Sequence, residues 1–400
     1  MVIINSVKKE QDLPQSQFVI NYQQEITKGV NMLSNILRLL LIGLIGMLAL
    51  TYCSKKESTT STDGFVIRSG VNVSHWLSQS DKRGAARRSY ITKSDFENIA
   101  AMGFDHVRLP VDEEQLWDST GNQEAAAFEL MHNAIQWAIV AKLRTIVDLH
   151  IIRAHHFIAD SNPLWTNPAE QQKLVNLWLQ LSRELSQYPN NLVAYEILNE
   201  AVADDPEDWN KVLNMVISAI RQKEPNRVIV IGSNRWQIPS TFPDLKVPPN
   251  DPHLILSFHF YSPMALTHHL ASWSAVAEYT GPVNYPGMIV DTTYYQQLSP
   301  ATVAAMRTYA NGYFDQKVLE QEMLPAIKIA KEMNLPLYCG EFGVYPTIPN
   351  EIRLRWYRDI CDIFKKNKIA SCHWCYKGDF PVVDEKGLPD QNLVTILTDK

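Results

Sequence analysis

The chain has 400 residues, of which 46% are apolar and 20% are charged, and its formal net charge is −6. This composition is typical of a soluble globular protein, and the length fits either two ordinary domains or one large α/β barrel. No cluster of lysine and arginine stands out along the sequence. A nucleic-acid partner is therefore not expected, because phosphate-rich partners are bound by concentrated positive charge.

The first feature along the chain is an uncharged run of fourteen residues, 39–52, which follows Arg38 and precedes Cys53. A membrane-spanning helix needs about 20 apolar residues, whereas the apolar core of a signal peptide has roughly 7–15. The run therefore predicts an export signal rather than a membrane span. We assign residues 1–52 to a signal peptide with a long lead-in, for which Met32 is an alternative start.

Residues 48–53 are similar to a bacterial lipoprotein box, in which the cysteine receives lipid and becomes the first mature residue. Tyr52 departs from the small residue expected just before that cysteine. We predict lipidation at Cys53 and an exported lipoprotein of the cell envelope, attached to the membrane only through its lipid. An ordinary secreted protein is the alternative. Residues 53–63 are polar and predict a flexible tether.

From residue 64 onward, short apolar runs alternate with longer segments of helical periodicity, which is the pattern of βα units around a parallel sheet. The predicted strands are residues 66–73, 106–110, 145–150, 192–199, 228–231, 254–261, 337–341 and 369–376. Eight strands of this kind predict a single α/β domain, a closed (β/α)₈ TIM barrel over residues 64–400.

Helical periodicity predicts helices between most of these strands. The predicted helices are residues 125–143, 168–188, 209–224, 300–333 and 352–366. Ser94-Asp95-Phe96-Glu97 is typical of a capping box, which predicts the beginning of a further helix. Only short, proline-rich connections are expected over residues 238–252, and no helix is predicted after the eighth strand.

Two of the predicted strands end on a carboxylate, in Leu198-Asn199-Glu200 and in Gly340-Glu341-Phe342. Side chains at the carboxyl ends of barrel strands line the active site. Two such carboxylates are the equipment for cleaving a glycosidic bond, because one protonates the leaving oxygen and the other attacks the anomeric carbon. The apolar approach to Glu200 favours its protonated form, so we predict Glu200 as acid/base and Glu341 as nucleophile. Glycines 340 and 343 are expected to leave room for the sugar ring.

Other predicted strand ends carry polar side chains that suit this chemistry. A nucleophilic carboxylate needs cationic or donor neighbours, and Arg108 and Tyr261 end the second and sixth strands. His150 and His259 are expected to donate hydrogen bonds near the reacting sugar. Asn199 is expected to contact the sugar 2-hydroxyl.

Four tryptophans follow or end predicted strands, where flat apolar rings serve as platforms for sugars. Trp374 ends the eighth strand and is predicted to form the floor beneath the sugar being cleaved. Trp76, Trp165 and Trp236 follow the first, third and fifth strands. Each of these three is expected to line a further sugar-binding position, with core packing as the alternative.

A metal-dependent barrel hydrolase is an alternative interpretation, because His150, His155 and His156 cluster after Asp148. This interpretation leaves both strand-end glutamates without a role, so we predict no metal site.

The spacing of Cys372 and Cys375 also occurs in metal and redox sites, but residues three apart on a strand face opposite sides. With Cys339 and Cys361, these residues are expected to be buried thiols or to form one disulfide.

These motifs together resemble glycoside hydrolase family 5, the cellulase and mannanase family, over roughly residues 65–380. The similarity rests on the Asn-Glu, His-Phe-Tyr and Gly-Glu-Phe-Gly that end the fourth, sixth and seventh strands. The arginine of Arg108-Leu109-Pro110, the histidine of Asp148-Leu149-His150 and the tryptophan of His373-Trp374 add to it. Ala201 departs from the proline that the family usually has after Asn-Glu.

The resemblance implies a retaining glycoside hydrolase of β-linked glycans that needs no cofactor. Endo-β-1,4-glucanase activity is the first expectation, and β-mannanase or mixed-linkage or β-1,3-glucanase activity is the alternative. A non-catalytic carbohydrate-binding barrel is the alternative from another class. We expect a monomer whose partner is its polysaccharide or oligosaccharide substrate. The implied site residues are Glu200, Glu341, Arg108, His150, Asn199, His259, Tyr261 and Trp374.

Overall fold

The computed structural model describes residues 64–309 and 312–399, and its centre is a closed barrel of eight parallel strands. Strand β1 (Ser69–Asn72) pairs with β2 (His106–Asp112) on one side and with β10 (Ala370–His373) on the other, which closes the sheet. The prediction of a (β/α)₈ TIM barrel is therefore confirmed. The barrel strands are β1 (Ser69–Asn72), β2 (His106–Asp112), β3 (Arg144–Ile151), β4 (Val193–Glu196), β5 (Ile229–Gly232), β6 (Leu254–Phe260), β9 (Leu337–Phe342) and β10 (Ala370–His373).

Two further strands, β7 (Gly287–Met288) and β8 (Tyr313–Phe314), form a separate antiparallel pair within the long connection between β6 and β9. The predictions of a signal peptide, a tether and lipidation at Cys53 fall on residues 1–63, which lie outside the described residues. In the part of the chain that is described, no helix combines the length and the apolarity needed to cross a membrane.

Helices cover the outside of the barrel. They are α1 (Gly84–Tyr90), α2 (Lys93–Ala101), α3 (Glu113–Leu116), α4 (Ala125–Val140), α5 (Pro168–Leu185), α6 (Pro206–Arg221), α7 (Asn234–Gln237), α8 (Met264–Thr267), α9 (Pro300–Tyr309), α10 (Gln316–Met333), α11 (Asn350–Asn367) and α12 (Gln391–Thr398). Short 3₁₀ turns at Pro239–Asp244 and Thr292–Gln297 complete the described elements. The short connection expected between β5 and β6 is confirmed.

Local sequence chemistry explains where the main helices begin. Asn167 and Asp205 precede α5 and α6, and each accepts a hydrogen bond from a backbone N–H of the first turn. Each is followed by a proline, whose fixed φ suits the first helical position. These caps fix the first turns of the two helices that precede and follow β4, the strand that leads to Glu200.

Three predictions about helices are wrong in detail. Residues 300–333 form two helices rather than one, because the chain turns at Gly312, where φ is +147°. A helix, α12, does follow the last strand and begins at the cap Asp390. The helix α2 begins after Thr92, not Ser94, because the Asp95 carboxylate accepts a hydrogen bond from the Thr92 backbone N–H.

Two of the predicted strands continue well past the residue at which the observed strand ends. Strand β4 ends at Glu196, so Glu200 lies in the following turn rather than on the ladder. Strand β10 ends at His373, so Trp374 lies just beyond it.

Buried tryptophans connect helices to the active end of the barrel. The Trp178 indole N–H of α5 donates to the Ile197 carbonyl at 2.8 Å, and the Trp209 indole N–H of α6 donates to the Gly232 carbonyl at 3.0 Å. Both carbonyls lie at or just past strand ends. A buried indole N–H usually needs such an acceptor. Here the two hydrogen bonds fix the start of the connections that follow β4 and β5.

Candidate active site

The centre of the barrel mouth is the Arg108 guanidinium, which is fully buried on β2. Its Nε and Nη2 donate to the two carboxylate oxygens of Glu196 at 2.7 and 3.1 Å. The Asp148 carboxylate lies 3.0 Å away and the Glu341 carboxylate 2.6 Å away. One cation therefore holds three buried carboxyl groups that come from three different strands.

The two amide side chains beside Arg108 complete its hydrogen bonding. Arg108 donates to the side-chain oxygen of Asn72 at 3.0 Å and to that of Asn199 at 2.8 Å. Because the arginine occupies the oxygen of Asn199, the NH₂ group of this amide is the one available to a substrate hydroxyl. This orientation agrees with the predicted contact to the sugar 2-hydroxyl.

Both oxygens of Glu341 accept hydrogen bonds. Arg108 donates to Oε1 at 2.6 Å, and the Tyr261 hydroxyl donates to Oε2 at 3.1 Å. Glu341 lies near the end of β9 and is 5% exposed. Donors on both oxygens stabilise the carboxylate form, which is the form a nucleophile requires.

Glu200 faces Glu341 across the mouth. Its Oε1 lies 2.8 Å from His259 Nδ1, and the same imidazole nitrogen lies 3.7 Å from Glu341 Oε2. One oxygen of each glutamate and one His259 nitrogen lie within 4.8 Å of one another. The two carboxyl groups are thus close neighbours, with one imidazole in reach of both.

The surroundings separate the protonation states of the two glutamates. Burial raises the pKa of Glu200 well above its usual range, and the nearby charge of Glu341 raises it further. Burial also raises the pKa of Glu341, but the Arg108 charge opposes that rise. Burial and then Arg108 hold the pKa of His259 well below its usual range, so the imidazole is neutral. When the two glutamates hold one proton between them, that proton therefore resides on Glu200.

His150 and Trp374 form a second layer of the mouth. The Nδ1 of His150 lies 2.6 Å from the Asp148 carboxylate, and its Nε2 lies 2.9 Å from the Gln79 side-chain amide. Burial lowers the pKa of His150 to about 4, and Arg108 adds to this shift. The rings of His150 and Trp374 are stacked at 5.6 Å and 12°. The predicted histidine and tryptophan are thus brought together beside the arginine network.

The other three predicted tryptophans have different surroundings. Trp76 is fully buried, and its indole N–H donates to the Arg87 carbonyl at 2.7 Å. Its prediction as a sugar platform is wrong, because the ring lies inside the core. Trp165 is half-buried and packs edge-on against Trp209. Trp236 is 41% exposed and remains a predicted sugar-binding residue, as does Trp165.

The glycines beside Glu341 have a different role from the predicted one. A Cβ at Gly340 would lie 2.8 Å from the Ser257 hydroxyl and 3.1 Å from His259 Nε2. A Cβ at Gly343 would lie 2.7 Å from the Trp374 carbonyl. The prediction that they leave room for the sugar is wrong, because the space beside each glycine is filled by the protein itself.

The histidines weighed as metal ligands bind different partners. His155 Nε2 accepts from the Val202 backbone N–H, and His156 Nδ1 accepts from the Ile158 N–H, while His150 contacts Asp148. The structure therefore does not assemble them into one ligand set. The four cysteines of the described residues are free thiols, so the single disulfide left open by the sequence is not formed.

Comparison with known proteins supplies the family. The family model of cellulase, glycosyl hydrolase family 5, matches residues 65–379. The chain belongs to this family. It is 30% identical to endoglucanase C of Acetivibrio thermocellus over 82% of the chain and 97% of that protein, and 26% identical to cellodextrinase A of Ruminococcus flavefaciens over 75% and 83%. The chain is therefore a glycoside hydrolase.

Solved structures agree with the fold of this family 5 enzyme. A structure described as an endoglucanase superimposes with a TM-score of 0.68 at 23% identity, covering 86% of this chain and all of the other. A Thermotoga maritima Cel5A structure in complex with mannotriose superimposes with a TM-score of 0.69 at 23% identity, covering 84% and 99%. At these identities the similarity shows the TIM barrel.

The structure also reveals aromatic residues that sequence reasoning missed. Trp273 lies in the β6–β9 connection and is 53% exposed. Its ring packs edge-on against Tyr345 at 5.3 Å, Tyr345 lies 5.6 Å from Phe380, and Phe380 lies 5.9 Å from Tyr261. This row of aromatic rings begins at Tyr261, whose hydroxyl donates to Glu341, and ends at the protein surface at Trp273. Trp273 follows no barrel strand directly, so strand-end reasoning gave no signal for it.

We expect Arg108→Met to lower the free energy of unfolding by about 3–5 kcal/mol, because it leaves three buried carboxyl groups without their cation. The loss grows as pH rises from 5 to 8. Without the cation, the pKa values of these carboxyl groups in the folded state rise further above their unfolded values, so ionisation at higher pH opposes folding. Urea unfolding at several pH values measures this.

The matched control for that change is Arg88→Met. Arg88 pairs with Glu129 at 3.1 Å, but both side chains are about half exposed. Exposed ion pairs contribute about 0–1 kcal/mol. Equal losses of stability in the two variants would contradict the central role of Arg108.

We expect Glu341→Gln to lower the pKa of Glu200, because the change removes a neighbouring negative charge that raises it. Carbon-13 NMR titration of labelled glutamate carboxyl groups, assigned with Glu200→Gln, measures this shift. An unchanged Glu200 pKa in the variant would show that the two carboxyl groups do not interact electrostatically.

Proposed function

We propose that the chain is a retaining endo-β-1,4-glucanase that uses Glu200 as acid/base and Glu341 as nucleophile. One observation carries the proposal: the two carboxyl groups face each other with oxygens within 4.8 Å, and only Glu341 has donors on both oxygens. Retaining glycosidases hold this pair about 5–5.5 Å apart, whereas inverting enzymes need about 6.5–9.5 Å for an intervening water. One chain supplies all of these groups, so we propose that it acts as a monomer.

In the first step, a Glu341 oxygen attacks the anomeric carbon while the bond from that carbon to the leaving oxygen breaks. The proton on Glu200 passes to the leaving oxygen, so the departing chain is a neutral alcohol. Arg108 and Tyr261 hold Glu341 in place for the attack, which leaves a glycosyl ester on this residue.

In the second step, Glu200 is a carboxylate and takes a proton from an incoming water. The water oxygen attacks the anomeric carbon, the ester bond to Glu341 breaks, and Glu341 returns to its carboxylate form. As the ester forms, the charge that raises the Glu200 pKa disappears, so Glu200 becomes a stronger acid when it must protonate the leaving group and is left ionised to act as the base. Two inversions give net retention.

Relatives and surface aromatics support the choice of substrate. The relatives cited above are named endoglucanase C and cellodextrinase A. Trp236 and Trp273 expose 41% and 53% of their surface on the active face, where flat rings suit the apolar faces of β-linked glucosyl units. Two exposed platforms beside the site suit a glycan that extends beyond the cleaved bond, so we propose action within a chain rather than at its end.

We expect hydrolysis of a soluble β-1,4-glucan to release the β-anomer first. Proton NMR of the earliest products distinguishes the anomers before mutarotation. Early release of the α-anomer would contradict the double displacement and the role of Glu341. Glu341→Gln should lower turnover by more than about 10³-fold, the scale on which loss of a covalent nucleophile acts.

A panel of β-1,4-glucan, mannan, xylan, mixed-linkage glucan and β-1,3-glucan tests the substrate. Highest kcat/KM on β-1,4-glucan supports the proposal, and preference for mannan or a β-1,3 linkage would replace it with the corresponding activity. A wild-type chain that binds one of these glycans by calorimetry but cleaves none would instead be a carbohydrate-binding barrel.

We further propose that the enzyme is exported and anchored through lipid on Cys53, on the sequence grounds of the short apolar run and the lipoprotein-like box. The protein should then fractionate with membranes, and Cys53→Ala should release it or stop its processing. Two or more acyl chains are needed for stable attachment. Mass spectrometry of the mature amino terminus decides the matter, since an unmodified start beyond Cys53 would indicate a secreted enzyme.

A further inference from the structure

The turn that carries Glu200 has an unusual backbone. Glu200 has φ of +45°, in the left-handed region that side chains other than glycine rarely adopt. The family's usual proline after Asn-Glu is replaced here by Ala201, and a proline would bias the residue before it toward extended φ values. The sequence therefore permits the left-handed conformation at Glu200, but something else must hold it.

The neighbouring connection after β5 supplies that hold. The Glu200 backbone N–H donates to the side-chain oxygen of Gln237 at 2.9 Å, and Gln237 is 1% exposed. The Gln237 NH₂ group donates to the Ser257 hydroxyl of β6 at 3.2 Å. A backbone N–H can only donate, so it fixes which end of the amide faces Glu200. Gln237 thus links the acid/base turn to a rigid strand.

Further bonds join the same two segments. The Asn234 side chain accepts from the Ala203 N–H at 2.8 Å and donates to the Ala203 carbonyl at 2.9 Å. The Trp236 N–H donates to the Ala201 carbonyl at 3.3 Å. The backbone at residues 200, 201 and 203 is therefore bonded to one connection, residues 234–237, which leaves little freedom to the peptide of Glu200.

The chain accepts local strain to build this contact. Arg235, Trp236 and Gln237 have φ of +54°, +61° and +56°, so these three successive residues of α7 are left-handed and α7 is not an ordinary right-handed helical turn. Such residues are costly and persist where the surrounding structure determines them, typically at functional sites. Gly232 makes room for the contact, because a Cβ there would lie 2.2 Å from the Gln237 side chain.

We propose that Gln237 is a positioning residue for the acid/base: it acts through the backbone N–H of Glu200 to aim that carboxyl group at the leaving oxygen. The inference rests on the proposed role of Glu200. The two glutamates differ in their support. Arg108 and Tyr261 donate to the two carboxylate oxygens of Glu341. The Glu200 carboxyl group contacts His259, and its main-chain N–H in addition donates to Gln237.

The test compares two substrates that differ in their need for a proton. Cello-oligosaccharides have a sugar alcohol as leaving group and depend on acid catalysis. 2,4-Dinitrophenyl β-cellobioside has a leaving group that departs without a proton. We expect Gln237→Met, which keeps the length of the side chain but removes its acceptor, to lower kcat/KM on cello-oligosaccharides by about 10–100-fold. On the dinitrophenyl substrate the loss should stay below about 3-fold, within the scatter of an undisturbed site.

Gln237→Glu is the conservative variant, because a carboxylate still accepts from the Glu200 N–H. It should recover most of the activity on cello-oligosaccharides. Gln171→Met is the matched control. Gln171 is a buried glutamine, 2% exposed, whose side chain donates to the carbonyls of Leu164 and Trp165. It should leave the ratio of the two kcat/KM values unchanged, even if stability falls.

Equal losses on both substrates for Gln237→Met, or no loss on either, would overturn the inference. If that variant does not fold, Ser257→Ala serves instead, because it releases the far end of the Gln237 amide. It should give the same selective loss at smaller size, and a non-selective effect would overturn the inference equally.

Glu200→Ala separates this inference from the proposed function. A selective loss on cello-oligosaccharides in Glu200→Ala, without one in Gln237→Met, rejects only the role of Gln237. A non-selective loss in Glu200→Ala rejects the acid/base assignment itself.

Discussion

The structure depends on one buried cation. Arg108 sits on β2 without solvent contact and binds carboxyl groups from β3, β4 and β9. Removing three carboxyl groups and a guanidinium from water is costly, and ion pairs and hydrogen bonds in good geometry offset that cost. A planar guanidinium suits this position because its five donors can bind several acceptors at once, and Arg108 donates to Glu196, Glu341, Asn72 and Asn199. The strands that bear these groups must therefore pair in one fixed register. The site is then a direct result of the closure of the barrel.

The excess of negative charge around Arg108 has a chemical consequence. One positive charge cannot neutralise Asp148, Glu196 and Glu341 together, and the next carboxyl group, Glu200, lies farther out. Burial raises the pKa of both glutamates, but the Arg108 charge opposes the rise at Glu341, whereas the Glu341 charge adds to the rise at Glu200. That difference is the asymmetry that a double displacement uses.

Much of this site was predictable from sequence because parallel strands end at one edge. Arg108, His150, His259, Tyr261 and Glu341 each end or nearly end an apolar run, so their convergence follows from the fold class. Glu200 and Trp374 were also placed at the mouth, although both lie just beyond their strands. The sequence motifs identified both residues, although the predicted strands were longer than the observed ones.

What sequence could not provide lies in the connections. Gln237 reaches Glu200 only because Gln237 and the two residues before it are left-handed. No local sequence pattern indicates that conformation. Trp76 follows a strand as Trp236 does, yet one points into the core and the other to solvent. The break between α9 and α10 had a signal in Asn311-Gly312, a turn dipeptide, but the helical periodicity on both sides outweighed it.

The two glutamates also differ in the element that carries them. Glu341 is part of a ladder strand whose neighbours on both sides are fixed, whereas Glu200 lies in a turn between a strand and a helix. Insertions and substitutions accumulate in such turns during evolution far more readily than in barrel strands. Divergence in this lineage should therefore alter the efficiency and pH optimum of proton transfer long before it alters the stereochemistry, which the strand preserves.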